Sequence, residues 1–143
     1  MSEHFTTTEL TDSSTATRLG IDNTAPADVL LHLETLASGL ENVRMELGYP
    51  MHIDSGYRCP ALNAAIGGAH DSAHLSGYAA DFKCDDFGTP LDIVKAIVAS
   101  GLKFDQCIQE GTWVHISFDP AMRQETLTAH FAAGQKTTYT QGV

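Results

Sequence analysis

The residues in this chain best suited to chemistry are His74 and Asp81, seven positions apart in "SAHLSGYAADF", and His115 in "WVHISF". If "YAADFKC" is a strand, Asp81 shares a face with Ala79 and Lys83 and lies opposite Phe82. Small alanines beside a carboxylate leave room for a ligand, and Gly77 permits a tight turn that folds His74 back toward it. In "WVHISF" alternation places Trp113, His115 and Ser117 on one face and the core-forming Val114, Ile116 and Phe118 on the other. Two histidines and one carboxylate are a familiar catalytic zinc set, which leaves a fourth position open. The same residues also fit a loop histidine, a carboxylate paired with a cation and a histidine under a tryptophan, and spacing alone leaves both readings standing.

Arg58 belongs with them. It follows a strand and a glycine turn in "DSGYRCPALN" and is one of only eight lysines and arginines. A guanidinium matches a carboxylate in two parallel hydrogen bonds, which suits a peptide substrate with a free carboxylate. A structural arginine tying the loop to backbone carbonyls satisfies the same sequence.

The elements that must position these residues can be read from pattern. Val29, Leu30, Leu33, Leu36, Leu40, Val43 and Leu47 recur at three- and four-residue steps, predicting one helix with Asn23 or Thr24 as its cap, Pro26 in its first turn and Gly48 at its end. "PALNAAIGG" reads as a short helix closed by Gly67 and Gly68. "TPLDIVKAIVASG" reads as another, begun by Thr89 and Pro90 and stopped by Gly101. Strands are expected at 51–54, 78–84, 104–110, 113–118 and 126–132, with 136–140 pairing back on the last across "AGQ". Helices first and strands clustered later predict an α+β domain with a mainly antiparallel sheet, spanning 1–143.

Composition narrows the partners. A formal net charge of −10 disfavours nucleic acid and anionic membrane surfaces. No apolar run approaches the roughly 20 residues that span a bilayer, and "MSEHFTTTEL" lacks a signal-peptide core, so the expectation is a cytoplasmically made chain that works as a single copy. Cys59, Cys84 and Cys107 have no CxxC spacing and are expected to be buried, reduced packing residues. His4, His32, His52 and His130 are read as surface or packing histidines, and His70 as a loop residue, with a substrate-side role as its lesser alternative.

Together, "SGYRCPALNAAIGG", "SAHLSGYAADF" and "WVHISF" resemble the signature blocks of the zinc D-Ala-D-Ala carboxypeptidase family, and more narrowly its phage and prophage branch of murein peptidases. The family pattern of SGYR, then S-x-H-x-x-G-x-A-x-D, then W-x-H is met at Ser55 to Arg58, at Ser72, His74, Gly77, Ala79 and Asp81, and at Trp113 and His115. "SEHFTTTEL" and "LTAHFAAGQKTTYT" are also similar to that branch. The resemblance implies that His74, Asp81 and His115 bind Zn²⁺, that Arg58 holds a substrate carboxylate or the developing oxyanion, and that Ser72 and Trp113 line the substrate side. It implies the small α+β fold shared with lysostaphin-type peptidases and the hedgehog signalling domain. The expected substrates are the stem peptides of peptidoglycan, cut by a carboxypeptidase or an endolysin-like endopeptidase acting on the cell wall after release or as part of a virion. Hedgehog-like relatives leave a second reading, a zinc-bound module without catalysis.

One position departs from the family. Many members carry the catalytic acid three residues before the last histidine, where this chain has Thr112. A two-residue turn at Gly111-Thr112 would pair Glu110 with Trp113 and Ile108 with His115, placing Glu110 on the His115 side as a diagonal neighbour. Glu110 is therefore the expected general base, with Asp105 or Asp71 as substitutes.

Overall fold

The structure, a computed structural model, describes residues 1–143. Six strands form one sheet in the order β1-β2-β4-β3-β5-β6. They are β1 (His52–Ser55), β2 (Ala79–Lys83), β3 (Gln106–Gln109), β4 (Val114–Ser117), β5 (Glu125–His130) and β6 (Thr138–Gln141). All neighbours are antiparallel except β3 and β5, which run parallel because residues 118–124 carry the chain from β4 back past β3. The helices are α1 (Thr7–Thr11), α2 (Ser14–Leu19), α3 (Ala27–Leu47), α4 (Pro60–Ala65) and α5 (Pro90–Ser100). No helix is long and apolar enough to cross a membrane.

The α+β expectation holds, and so does the split of faces. Ala80 and Phe82 of β2, Cys107 of β3 and Val114 and Ile116 of β4 meet Leu33, Leu36 and Leu40 of α3 and Ile93, Val94 and Ile97 of α5 in one core. Burying a side chain of this size stabilises by about 1.5–3 kcal/mol, so this face fixes the register of the sheet. The opposite face is then obliged to carry the alternate residues. Register places Ser55, Asp81, His115, Ile108, Leu127 and Gln141 in a single row across all six strands.

Several expectations are corrected. Leu30 is exposed, whereas Ala37 and Gly39 join the buried stripe of α3. Neither Asn23 nor Thr24 caps α3, because both are engaged elsewhere. The Thr24 N–H and hydroxyl bond Asp22, while the Asn23 amide bridges the Thr11 and Tyr57 carbonyls and accepts from Cys59 N–H. Pro26 takes the cap position without a side-chain bond. Cys84 and Cys107 are buried, but Cys59 is half-buried and caps α4, its sulfur accepting from Leu62 N–H at 3.4 Å. Sequence patterning marks no element before residue 23, where α1 and α2 form short polar helices capped by Thr6 and Ser13. Thr89 begins α5 as expected, and the structure adds Asp92 as its reciprocal capping partner.

Candidate metal centre

Asp81 and His115 are opposite each other on β2 and β4, so the sheet itself brings them together. His74 arrives from a turn. Gly77 ends that turn with a φ of +84°, a conformation glycine adopts freely, and its missing Cβ lets the chain lie against Val29 of α3. The imidazole of His32 stacks on Tyr78 at 4.2 Å and contacts the Ser76 carbonyl at 2.6 Å, which anchors the turn to α3. Two bonds then tie this turn to the segment that carries Arg58. Arg58 N–H donates to the His74 carbonyl at 3.0 Å, and His74 Nδ1 lies 2.7 Å from the Gly56 carbonyl.

The three expected ligands converge: their donor atoms lie within 4.8 Å of one another. A carbonyl oxygen only accepts, so His74 Nδ1 carries the proton in its bond to Gly56. Burial pushes the His74 imidazole down from its ordinary pKa despite the attraction of Asp81, so it stays neutral. Its Nε2 then offers a lone pair, 3.1 Å from Asp81 Oδ1. Burial opposes ionisation of Asp81, but at the low pH where this carboxyl titrates both imidazoles are protonated, and the charge and hydrogen bonds of His74 and His115 outweigh burial and hold it well below its usual range. His115 Nδ1 meets the same oxygen at 3.0 Å. A neutral imidazole lone pair facing a carboxylate oxygen, with no proton between, is a donor set that a cation completes, and two nitrogens with one oxygen suit zinc. The Gly56 bond to the far nitrogen of His74 is of the kind that orients a histidine for metal binding.

Arg58 differs from expectation. Its guanidinium is not a free fork but is bound on three sides: Nε donates to Ser55 Oγ at 3.1 Å, Nη1 to Asn63 Oδ1 at 3.2 Å and Nη2 to Asp81 Oδ2 at 3.2 Å. It therefore fixes the carboxylate oxygen that the histidines do not contact. The competing reading of the sequence, a carboxylate paired with a cation, is thus also realised, on the second oxygen of the same residue. One N–H on each terminal nitrogen stays free, and Arg58 lines the cleft.

That cleft, about 420 Å³, opens over the row of site residues. Ser72, Asp71, Trp113 and Glu110 also line it. Ser72 Oγ accepts from His74 N–H at 3.2 Å, and Trp113 lies at the mouth of β4, 6.2 Å from Phe131. The hairpin has the predicted register, with Ile108 opposite His115 and Glu110 N–H donating to the Trp113 carbonyl. Gly111 supplies the turn with a φ of +82°. Burial, helped by the charge of Asp81, raises the pKa of Glu110 above the ordinary carboxylate value against the pull of His115 and Arg58. A raised pKa makes the carboxylate a stronger proton acceptor, as a general base requires.

Asp105 does not belong to this site. It is buried beneath Arg123, which donates to it from its backbone N–H and its guanidinium at 2.9–3.0 Å, and it accepts from Ser117. Asp71 reaches the rim but is exposed, and His70 is exposed on an adjoining groove. Two residues of the site escape sequence reading. Asn63 is buried, accepts from Arg58 and donates to the Ala69 carbonyl at 3.0 Å; it is the lone polar residue of α4, a signal that could have found it. Tyr139 lines the cleft from β6, a position set by strand pairing with no local signal.

No curated protein matches the chain. A family model described as Peptidase M15 matches residues 3–117, which hold the five residues Arg58, His74, Asp81, Glu110 and His115. With a match of that extent over a site whose donors suit zinc, the chain belongs to the Peptidase M15 family of metallopeptidases.

Proposed function

We propose that this chain is a zinc-dependent peptidase that hydrolyses peptide bonds in the stem peptides of bacterial peptidoglycan, as an endolysin-like carboxypeptidase or L-Ala-D-Glu-type endopeptidase. In this reading His74, Asp81 and His115 hold the metal and Glu110 is the general base. The observation that carries it is the convergence of three donor atoms within 4.8 Å beside a half-buried carboxylate of raised pKa. Zinc at such a site supplies a Lewis acid that polarises a carbonyl and brings the pKa of water to about 7.

The chain's own residues do the rest. Glu110 takes the proton from the attacking water and returns it to the departing amine, so the carboxylate is restored after each cycle. Arg58 holds Asp81 in place with one N–H and turns its remaining N–H groups to a substrate carboxylate or to the oxyanion, a contribution of about 3 kcal/mol for a well-placed donor. Ser72 holds the His74 turn at the rim, and Trp113 walls the cleft against water. A wall-degrading role after release from the cell, or within a virion, agrees with stem peptides as substrate.

The test is digestion of purified murein with zinc-loaded protein and identification of the fragments by mass, which also names the bond cut. Elemental analysis is expected to find one zinc per chain, lost in His74→Ala, Asp81→Ala and His115→Ala together with turnover. Full zinc in the His115→Ala protein would refute the ligand set. Full zinc in the wild type with no cleavage of murein would replace this reading with the non-catalytic module.

A further inference from the structure

The cleft has a wall that the family match does not include. Residues 3–117 match the family model, and β5 and β6 lie beyond them, yet Leu127 and Tyr139 line the same cleft as Arg58, His74, Asp81 and Glu110. Register explains why. Gln109 of β3 pairs with Thr128 of β5, so the next residue, Glu110, comes alongside Ala129, and Ala129 pairs with Tyr139 of β6. Ile108 and Leu127 sit in the row of His115, and two residues on along each strand the same face is presented again. Glu110, Ala129 and Tyr139 therefore form a second row on the cleft side. Neighbouring strands are about 4.8 Å apart, so Glu110 and Tyr139 stand about 10 Å apart with only a methyl group between them. That gap is wide enough for an extended peptide main chain.

Tyr139 is 49% exposed and lines the cleft from β6. Partial burial, with the negative charges of Glu110 and Asp81, raises its pKa above the ordinary phenol value, which favours the protonated donor form. Phe131, from the turn end of the same hairpin, rests on Trp113 and ties the hairpin to the strand that carries His115.

We propose that Tyr139 is a substrate-binding residue, whose phenol O–H donates a hydrogen bond to a backbone carbonyl oxygen of the bound peptide across the cleft from Arg58. This rests on the peptidase reading above. The hairpin of β5 and β6 is then the specificity wall of the site. The bond is made to the ground state as well as to the transition state, so its loss raises KM without lowering kcat.

The experiment uses the full zinc-loaded chain, a synthetic stem pentapeptide and the variant Tyr139→Phe, which keeps the ring and removes the donor. KM is expected to rise about 3- to 10-fold, the size of one neutral hydrogen bond, with kcat within about twofold, as uniform binding predicts. Zinc content and melting temperature are expected to stay at wild-type values. Calorimetric titration of the same peptide into the Glu110→Gln protein, with and without Tyr139→Phe, is expected to show the same fold-change in Kd. Wild-type KM and Kd in Tyr139→Phe overturn the proposal, as does a fall in kcat at constant KM. If the wild type binds the pentapeptide but does not cleave it, the peptidase reading fails while Tyr139 is still judged on Kd. A wild type that neither cleaves nor binds it overturns both.

Discussion

At the scale of single residues, the site is a set of groups whose charges are set by burial and by one another. Glu110 is half-buried with a raised pKa, and Glu110→Gln removes the proton acceptor while keeping the shape. We expect kcat to fall about 10²–10⁴-fold while zinc content and melting temperature hold; wild-type turnover in this variant would move the base elsewhere. The pH profile carries the same information. A base works only when ionised, so kcat/KM is expected to fall on the acid side, through a pKa above the usual carboxylate value, and Glu110→Gln should abolish that limb. Arg58→Lys keeps a charge but loses the bonds to two of its three partners, Ser55, Asn63 and Asp81. Because, in the proposed ligand set, it orients a metal-ligating carboxylate, we expect zinc affinity to weaken about 10- to 100-fold along with catalytic efficiency. Unchanged zinc affinity by competition with a chelator would show that the Asp81 contact does not matter.

Secondary structure decides which of these residues meet. Strand alternation presents Asp81 and His115, while the turn of 72–78 presents His74 only because Gly77 adopts a positive φ against α3. Gly77→Ala forces an L side chain into that region, costing about 1–2 kcal/mol, and places a Cβ 2.8 Å from Val29 Cγ1. We expect a lower melting temperature and weaker zinc binding together, since relief of the crowding pulls His74 away from Asp81. Wild-type values of both would show that the turn does not depend on glycine. Much at this scale is legible from sequence: α3, α5 and all six strands follow from periodicity, Pro, Gly and Thr89. The short helices α1 and α2 are not, because each buries a single side chain, Leu10 and Ala16, and so shows no stripe.

For the molecule as a whole, Asp105, alongside Asp81, is expected to contribute to acid stability. Arg123 holds its carboxyl below the usual value, outweighing burial. The folded pKa is thus lower than the unfolded one, so the pair's stabilisation is present above the unfolded value of about 4 and is lost as pH falls through the folded value. Asp105→Asn is expected to lower stability at neutral pH and to flatten the loss below about pH 4, measured as urea midpoints from pH 7 to pH 2. Parallel curves for the two proteins would show that other carboxylates govern the acid limb.

Chemistry and secondary structure were local in this chain and could be read directly. Glycine, proline and alternation act through neighbours, so the strand faces of Asp81 and His115, the turn at Gly77 and the Glu110 hairpin could be placed in advance, while the grouping of His74, Asp81 and His115 as one ligand set came from the family resemblance. Arg58 could be singled out, but not its three bonds, which depend on how β1, α4 and β2 stack in space. The same holds for the burial of Asp105 and for Tyr139, brought to the cleft by a parallel pairing of β3 with β5 and an antiparallel one of β5 with β6. Those contacts join segments far apart in the chain, and their energy comes from packing and pairing, which leave no period or motif in either segment alone.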